Sequence, residues 1–164
     1  MSEILDSGNR MEFASGAVRD IQEGKGRCDL MPLDVVYGVY KDLEHIIEPR
    51  YLVFDRINRF INDGDPKWLY NALLCGNPFD DIPTMLLEVS KHFEEGAKKY
   101  AENNWKLGIN TKRYINSGLR HYLKWLRKDK DEPHDRAFCW NIMCCIWTCI
   151  NKPELNDYAS EEAK

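Results

Sequence analysis

The sequence predicts an all-α protein, a helical bundle. Apolar residues recur at three- and four-residue steps over long stretches, the signature of amphipathic helices. Clusters of Gly, Pro, Asn and Asp cut the chain between those stretches. No stretch alternates apolar and polar residues long enough to make a useful strand, and no internal repeat is visible. The chain has 164 residues, 43% hydrophobic and 30% charged, which excludes wholesale disorder and low-complexity fibres. That length fits one domain with a core that needs no staples.

Residues 1–34 read as loop, because Gly8, Gly16, Gly24, Gly26 and Pro32 punctuate them and apolar periodicity is poor. A structureless segment this long is either disordered or functional. Asp34 is placed to cap a helix over about 35–47, which Pro49 stops. A second helix is expected over about 50–62, closed by Asn62-Asp63-Gly64-Asp65-Pro66, and a short one from Lys67 to Leu74. Gly76-Asn77-Pro78 and Asp80-Asp81-Ile82-Pro83 are breakers.

Three stronger helices follow. The first runs from about Thr84 to Asn103, with Leu86, Val89, Phe93, Ala97 and Tyr100 on its apolar side. The second runs from Thr111 to about Lys128, with Ile115, Leu119, Tyr122 and Leu126. The third starts near Pro133, a favoured first-turn proline, and ends about Ile150. It is apolar almost all round and is expected to be the buried central helix. The acidic tail from Pro153 to Lys164 is expected to fray.

Six cysteines sit at 28, 75, 139, 144, 145 and 149, four of them on the third strong helix. Residues 1–11 are polar and form no secretory signal, so a disulfide framework is not expected. CxxC pairs are absent, which leaves zinc ligation by these thiols a weak reading. Packing as small hydrophobes in a reducing cytoplasm is the expectation. The longest apolar run, Ile142 to Ile150, is far short of the roughly 20 residues of a membrane span.

The 23 Lys and Arg against 27 Asp and Glu leave a net charge of −4, which argues against a nucleic-acid coat protein. The distribution is uneven. Lys106 to Lys130 holds eight basic residues and one acid, a local charge of +7. Arg113, Arg120, Lys124 and Arg127 follow three- and four-residue steps, as a phosphate-neutralising face would. Glu88, His92, Glu95 and Lys99 share one face of the first strong helix. Glu132 and Asp135 flank His134 at the start of the third, and Asn141 lies seven residues beyond His134 on an otherwise apolar helix. Solvated faces, first-turn acids and a core-bonded Asn141 are the plain explanations. If the two acidic sets face each other, Glu88, His92, Glu95, Glu132 and Asp135 would hold Mg²⁺ or Mn²⁺, and the cation would bind phosphates. Lys25 and Arg27, between Gly24 and Gly26, could add to the phosphate contacts, but the motif is no Walker loop. Asn104-Trp105 offers an amide and a stacking surface to a base.

Several blocks together resemble the phage-associated dATP/dGTP diphosphohydrolase family. They are Ser15-Gly-Ala-Val-Arg19-Asp20, Gly24-Lys-Gly-Arg-Cys-Asp-Leu-Met-Pro32, Gly96-Ala-Lys-Lys99-Tyr100 with Asn104-Trp105-Lys106, Ser117-Gly-Leu-Arg120-His121 with Lys124, and Asp131-Glu132-Pro-His134 followed by Trp140-Asn141. The blocks cover about half the chain, in the family's order. The family is similar in activity to MazG-like all-α nucleoside triphosphate pyrophosphohydrolases. The resemblance implies cleavage of dGTP to dGMP and of dATP to dAMP with release of pyrophosphate, in viruses that carry 2-aminoadenine in their DNA. It implies Mg²⁺ or Mn²⁺ as cofactor, a purine dNTP as partner, a homo-oligomer (dimer or tetramer), no stable nucleic-acid or membrane partner, and the host cytoplasm as location. The chain is expected to divide into a substrate-binding segment (1–34), a helical insertion (35–83), a catalytic core (84–152) and the tail (153–164). Glu95, Asp135 and His134 are expected in the catalytic roles. Lys25, Arg27, Lys99, Asn104, Trp105, Arg120, His121, Lys124 and Asn141 bind substrate.

The chain departs from the MazG-like metal pattern, ExxE followed by ExxD. Glu132-Pro-His-Asp135 fits the second half, but His92-Phe-Glu-Glu95 has His where Glu is expected. Two other readings stay open. His134-Asp135 could be the dyad of an HD-type phosphohydrolase, with His92 and His121 as further ligands. The +7 helix could instead belong to an all-α nucleic-acid-binding module without catalysis.

Overall fold

In the computed structural model the described residues are 10–12, 18–20, 27–35, 38 and 52–160. Five helices carry the fold: α1 (Leu52–Asp63), α2 (Lys67–Cys75), α3 (Ile82–Tyr100), α4 (Thr111–Leu126) and α5 (His134–Asn151). The protein is an all-α bundle with one small addition. Arg10–Glu12 (β1) and Val18–Asp20 (β2) pair as an antiparallel ribbon, too short to leave an alternation in the sequence. Leu33, Asp34 and Val35 are helical, so the turn begins before the expected Asp34 cap. Most of the helix expected over 35–47 lies outside the described residues, as does Lys25.

The breaker clusters act through caps. At the α1–α2 corner, Lys67 N–H donates to Asp65 Oδ1 (2.9 Å), and Trp68 Nε1–H donates to Asp63 Oδ2 (2.7 Å). Thr84 N–H donates to Asp81 Oδ1 (2.7 Å), which opens α3 with Pro83 in its first turn. α1 buries Val53, Ile57 and Phe60, one stripe of its surface.

α5 is the central helix. It packs against α2, α3 and α4, and most residues from His134 to Cys149 are buried, with Asp135, Arg136, Trp140 and Trp147 half-buried. Cys75, Cys139, Cys144, Cys145 and Cys149 are buried free thiols. Burial pushes the thiols of Cys139, Cys144 and Cys145 well above their ordinary range, as packing residues require. α1 and α2 contribute to the same core through Val53, Ile57, Phe60, Leu69 and Leu73. Arg27 ties the N-terminal segment to α3, since its N–H donates to the Ser90 carbonyl (3.0 Å).

The tail corrects the expectation of fraying as far as residue 160. Pro153–Leu155 form a 3-10 turn, and Asn156 is buried with its amide donating to the Gly64 carbonyl (2.9 Å). Asp157 closes the start of α4. It accepts from Lys112 N–H (2.9 Å) and Asn110 Nδ2 (3.1 Å), and its own N–H donates to Thr111 Oγ1 (3.0 Å). Among the described residues, no helix is long and apolar enough to cross a membrane.

Candidate active site

α3, α4 and α5 border a cavity of about 620 Å³. α3 ends at Ala101, and Asn103 takes a left-handed conformation (φ 59°) that turns the chain back along this cavity. His92, Glu95 and Lys99 face it from α3, and Arg113, Ser117 and His121 from α4. Asn104, Trp105, Glu132, Trp140 and Asn141 complete its polar and aromatic walls.

One wall is an aromatic cluster. Trp105 is buried and edge-on to Trp147 (centroids 5.0 Å) and Phe93 (5.5 Å), and Trp140 lies 5.3 Å from the His92 ring. Burial pushes His92 down to about 4, against the pull of Glu95, so the imidazole is neutral at pH 7. Its Nδ1 is buried without a hydrogen-bond partner.

Near His92 stands a histidine pair, whose His121 and Glu132 neighbour also act on the His92 ring. His121 Nδ1 lies 3.0 Å from His134 Nδ1, and His134 Nε2 lies 2.8 Å from Asp131 Oδ1. A carboxylate only accepts, so His134 carries its proton on Nε2 and gives it to Asp131. His134 Nδ1 is then the acceptor, and His121 Nδ1–H the donor. Glu132 Oε1 lies 3.6 Å from His121 Nδ1 and 3.5 Å from His134 Nδ1. Lys124 Nζ bonds Asp131 Oδ2 (2.7 Å) and stands 4.0 Å from Glu132 Oε1. Bonds from Lys124 and His134 hold the Asp131 carboxyl well below the usual carboxylate range. Burial lowers His121, partly opposed by Glu132. The His134 side chain is 1% exposed and Glu132 48%, so this cluster runs from the core out to solvent.

The expected site residues divide. His92, Glu95, Lys99, Asn104, Trp105, His121, Glu132 and Asn141 all line the cavity. The five expected metal ligands do not converge as a set. Glu88 pairs with Lys91 on its own helix. Glu95 takes a hydrogen bond from Arg136 Nη2 (2.6 Å), and Asp135 accepts from the Arg136 N–H (2.8 Å). Among the described residues, the ligand atoms that gather are those of His121, Glu132 and His134, and those of Asp129, Asp131 and His134. His134 and Asp135 have different partners here: His134 meets His121 and Asp131, and Asp135 accepts from the Arg136 N–H. Arg27 is held by Asp29 and Glu102, away from the cavity lining. Arg120 donates to Ser117 Oγ (3.2 Å) at the surface. Asn141 spends its amide N–H on the Ala137 carbonyl (2.8 Å).

Asp131 and Arg136 carry no expected role of their own, whereas Arg113, expected on a phosphate-neutralising face, does line the cavity. Asp131-Glu-Pro-His134 carries a readable signal: an i,i+3 Asp–His pair at a helix start. The meeting of His121 with His134 carries none, because it depends on how the 127–133 turn folds α4 back onto α5.

A family model described as dATP/dGTP diphosphohydrolase, N-terminal, matches residues 62–158, from the end of α1 through the docked tail. Neither a curated protein nor a solved structure matches the chain.

Proposed function

The chain belongs to the dATP/dGTP diphosphohydrolase family and is an enzyme of that kind, and from this membership we propose that it hydrolyses purine deoxynucleoside triphosphates in a metal-dependent reaction. Water adds at phosphorus, the bond between the α- and β-phosphoryl groups breaks, and dGMP or dAMP leaves with pyrophosphate and a proton. We place it among MazG-like phage enzymes that support 2-aminoadenine in viral DNA, acting as a homo-oligomer in the host cytoplasm. Its partner is the nucleotide rather than nucleic acid or a membrane.

The cavity between α3, α4 and α5 is the observation that supports this reading, because its walls offer what a purine dNTP requires. Lys99 and Arg113 supply cationic side chains for the phosphates. Trp140 and the His92 ring, tilted 52° to each other, give uncharged aromatic surface for a base. Asn104 and Asn141 offer amide groups for the base or sugar. Glu95 and Glu132 are carboxylates that line the cavity, suited to orient a water or take its proton. Lys124 and Arg27 are engaged by carboxylates and would have to exchange partners to reach a phosphate.

A divalent cation would supply Lewis acidity at the phosphoryl oxygens and a more acidic water. The oxygen-rich set expected for Mg²⁺ or Mn²⁺ does not gather, since Glu88, Glu95 and Asp135 are turned to other partners. No step is therefore assigned to an ion held by that set.

The test is to incubate the protein with each dNTP and a divalent cation and to resolve the products. Monophosphate plus pyrophosphate from dGTP and dATP is the expected outcome. Triphosphate or inorganic phosphate would favour HD-type chemistry. No turnover of any purine dNTP, with salt-sensitive nucleic-acid binding instead, would overturn the enzyme reading.

A further inference from the structure

We propose that His121 Nδ1, His134 Nδ1 and Glu132 Oε1 form a site for a transition cation of the Zn²⁺ type, selected over Mg²⁺ by its two imidazole ligands. This rests on the reading that hydrolysis needs a divalent cation, and it names different side chains for that ion than the sequence did.

The three atoms form a triangle with edges of 3.0, 3.5 and 3.6 Å. Metal–nitrogen bonds of about 2.0–2.1 Å put tetrahedral ligands about 3.3–3.4 Å apart, so the triangle needs only small adjustments. Three protein ligands leave a fourth position open, the arrangement of a catalytic site rather than a structural one. His121 and Glu132 both line the cavity.

The outer shell has the form that metal-bound histidines show. His134 turns Nδ1 toward the triangle and gives its Nε2–H to Asp131 (2.8 Å), a carboxylate–histidine arrangement that fixes the ring and raises its basicity. Lys124 holds the other Asp131 oxygen (2.7 Å). Binding requires one rearrangement: His121 moves its single ring proton from Nδ1 to Nε2, which leaves both Nδ1 lone pairs for the ion and the net charge of the pair unchanged.

The neighbouring group Asp129, Asp131 and His134 is the weaker candidate. Arg127 already holds Asp129, Lys124 and His134 Nε2 already hold Asp131, and both aspartates are bound at the surface by cations. Two nitrogens and one carboxylate suit Zn²⁺, Co²⁺ and their neighbours, whereas Mg²⁺ takes oxygen ligands and water.

The test uses Co²⁺ as a spectroscopic probe on the metal-free full chain, followed by competition with Zn²⁺ and with excess Mg²⁺. One Co²⁺ per chain with a visible ligand-field band is expected, displaced by Zn²⁺ and not by Mg²⁺. Glu132→Gln and His121→Asn, whose side chains reach the cavity, should weaken Co²⁺ on the order of 100-fold. Asp131→Asn should weaken it about 10–100-fold through His134. Glu88→Gln and Asp135→Asn should leave it unchanged. Displacement by Mg²⁺, an undiminished band in Glu132→Gln and His121→Asn, or a thiolate charge-transfer band from the buried cysteines would overturn the site. Nucleotide is absent from this titration, so its outcome is separate from the product assay. Hydrolysis of dGTP without a Co²⁺ site sinks this inference alone; a Co²⁺ site without hydrolysis sinks the functional reading alone.

Discussion

The two ends of α5 bury different chemistry and tolerate it for different reasons. At the C-terminal end, Cys144, Cys145, Ile146 and Cys149 are packed among apolar neighbours, and burial keeps the thiols of Cys144 and Cys145 neutral. At the N-terminal end, His134 is buried just as deeply, yet it has two polar partners in His121 and Asp131. A thiol loses little by entering a core, whereas an imidazole must be hydrogen-bonded there. On a helix that is otherwise packing, function has a restricted place. It sits where the sequence has invested partners in keeping a polar group inside.

The largest contrast is in activity. Glu132→Gln at the polar end removes a half-exposed carboxylate and should lower kcat for dGTP by about 10²–10⁴-fold, the range of a lost acid–base or cation-holding group. Its melting temperature should stay near that of the parent, because little core packing is lost. Steady-state kinetics and a thermal melt on the same preparation check both halves. Met143→Ala at the packing end should do the reverse. Met143 is fully buried, so truncation should cost about 2–5 kcal/mol of stability. Activity per folded molecule should be unchanged. An activity loss in Met143→Ala without loss of stability would break the comparison.

That division was only partly legible in the sequence. The bundle was, because α3, α4 and α5 each announce a period or a boundary: breakers run up to Pro83, Pro133 stands at the start of α5, and α5 is apolar almost all round. The cysteines were legible as packing for the same reason. The cavity residues on α3 were legible as a face, since His92, Glu95 and Lys99 do share one wall. Their partners were not. Helical spacing fixes which side chains lie together on one helix, but not which neighbour they meet. Glu95 meets Arg136 rather than another acid, and His121 meets His134 across a turn that no periodicity describes. The docked tail was illegible for a related reason. Asn156 and Asp157 are ordinary polar residues until Gly64 and the start of α4 come within reach.

A pH titration sharpens the contrast at intermediate magnitude. His92 is 6.5 in its ordinary state and about 4 when folded, so the unfolded chain binds more protons between those values. Stability is therefore full above about pH 6.5 and falls as pH drops toward 4. The loss attributable to His92 is about 3 kcal/mol. The lowered His121 acts in the same direction. Urea unfolding at pH 7 and pH 4.5 should show this loss in the parent and a smaller one in His92→Phe. Equal losses in both proteins would mean that another group carries the acid sensitivity.

The smallest effect expected is at the tail, and it tests whether docking matters to the site or only to the fold. Asp157→Ala frees Lys112 N–H and Asn110 at the start of α4. Burial alone would raise the Asp157 carboxyl, but the bonds from Lys112 and Asn110 outweigh it and hold it low. Losing such a cap costs about 0.5–2 kcal/mol, a fall of about 1–8 °C in melting temperature for a chain of this size. Arg113 lies one residue beyond Lys112 and faces the cavity. If the cap also sets the first turn of α4, KM for dGTP should rise a few-fold while kcat holds, because Arg113 is placed to bind phosphate rather than to react. If KM is unchanged, the tail acts on the packing end alone, and the polar end keeps its geometry without it.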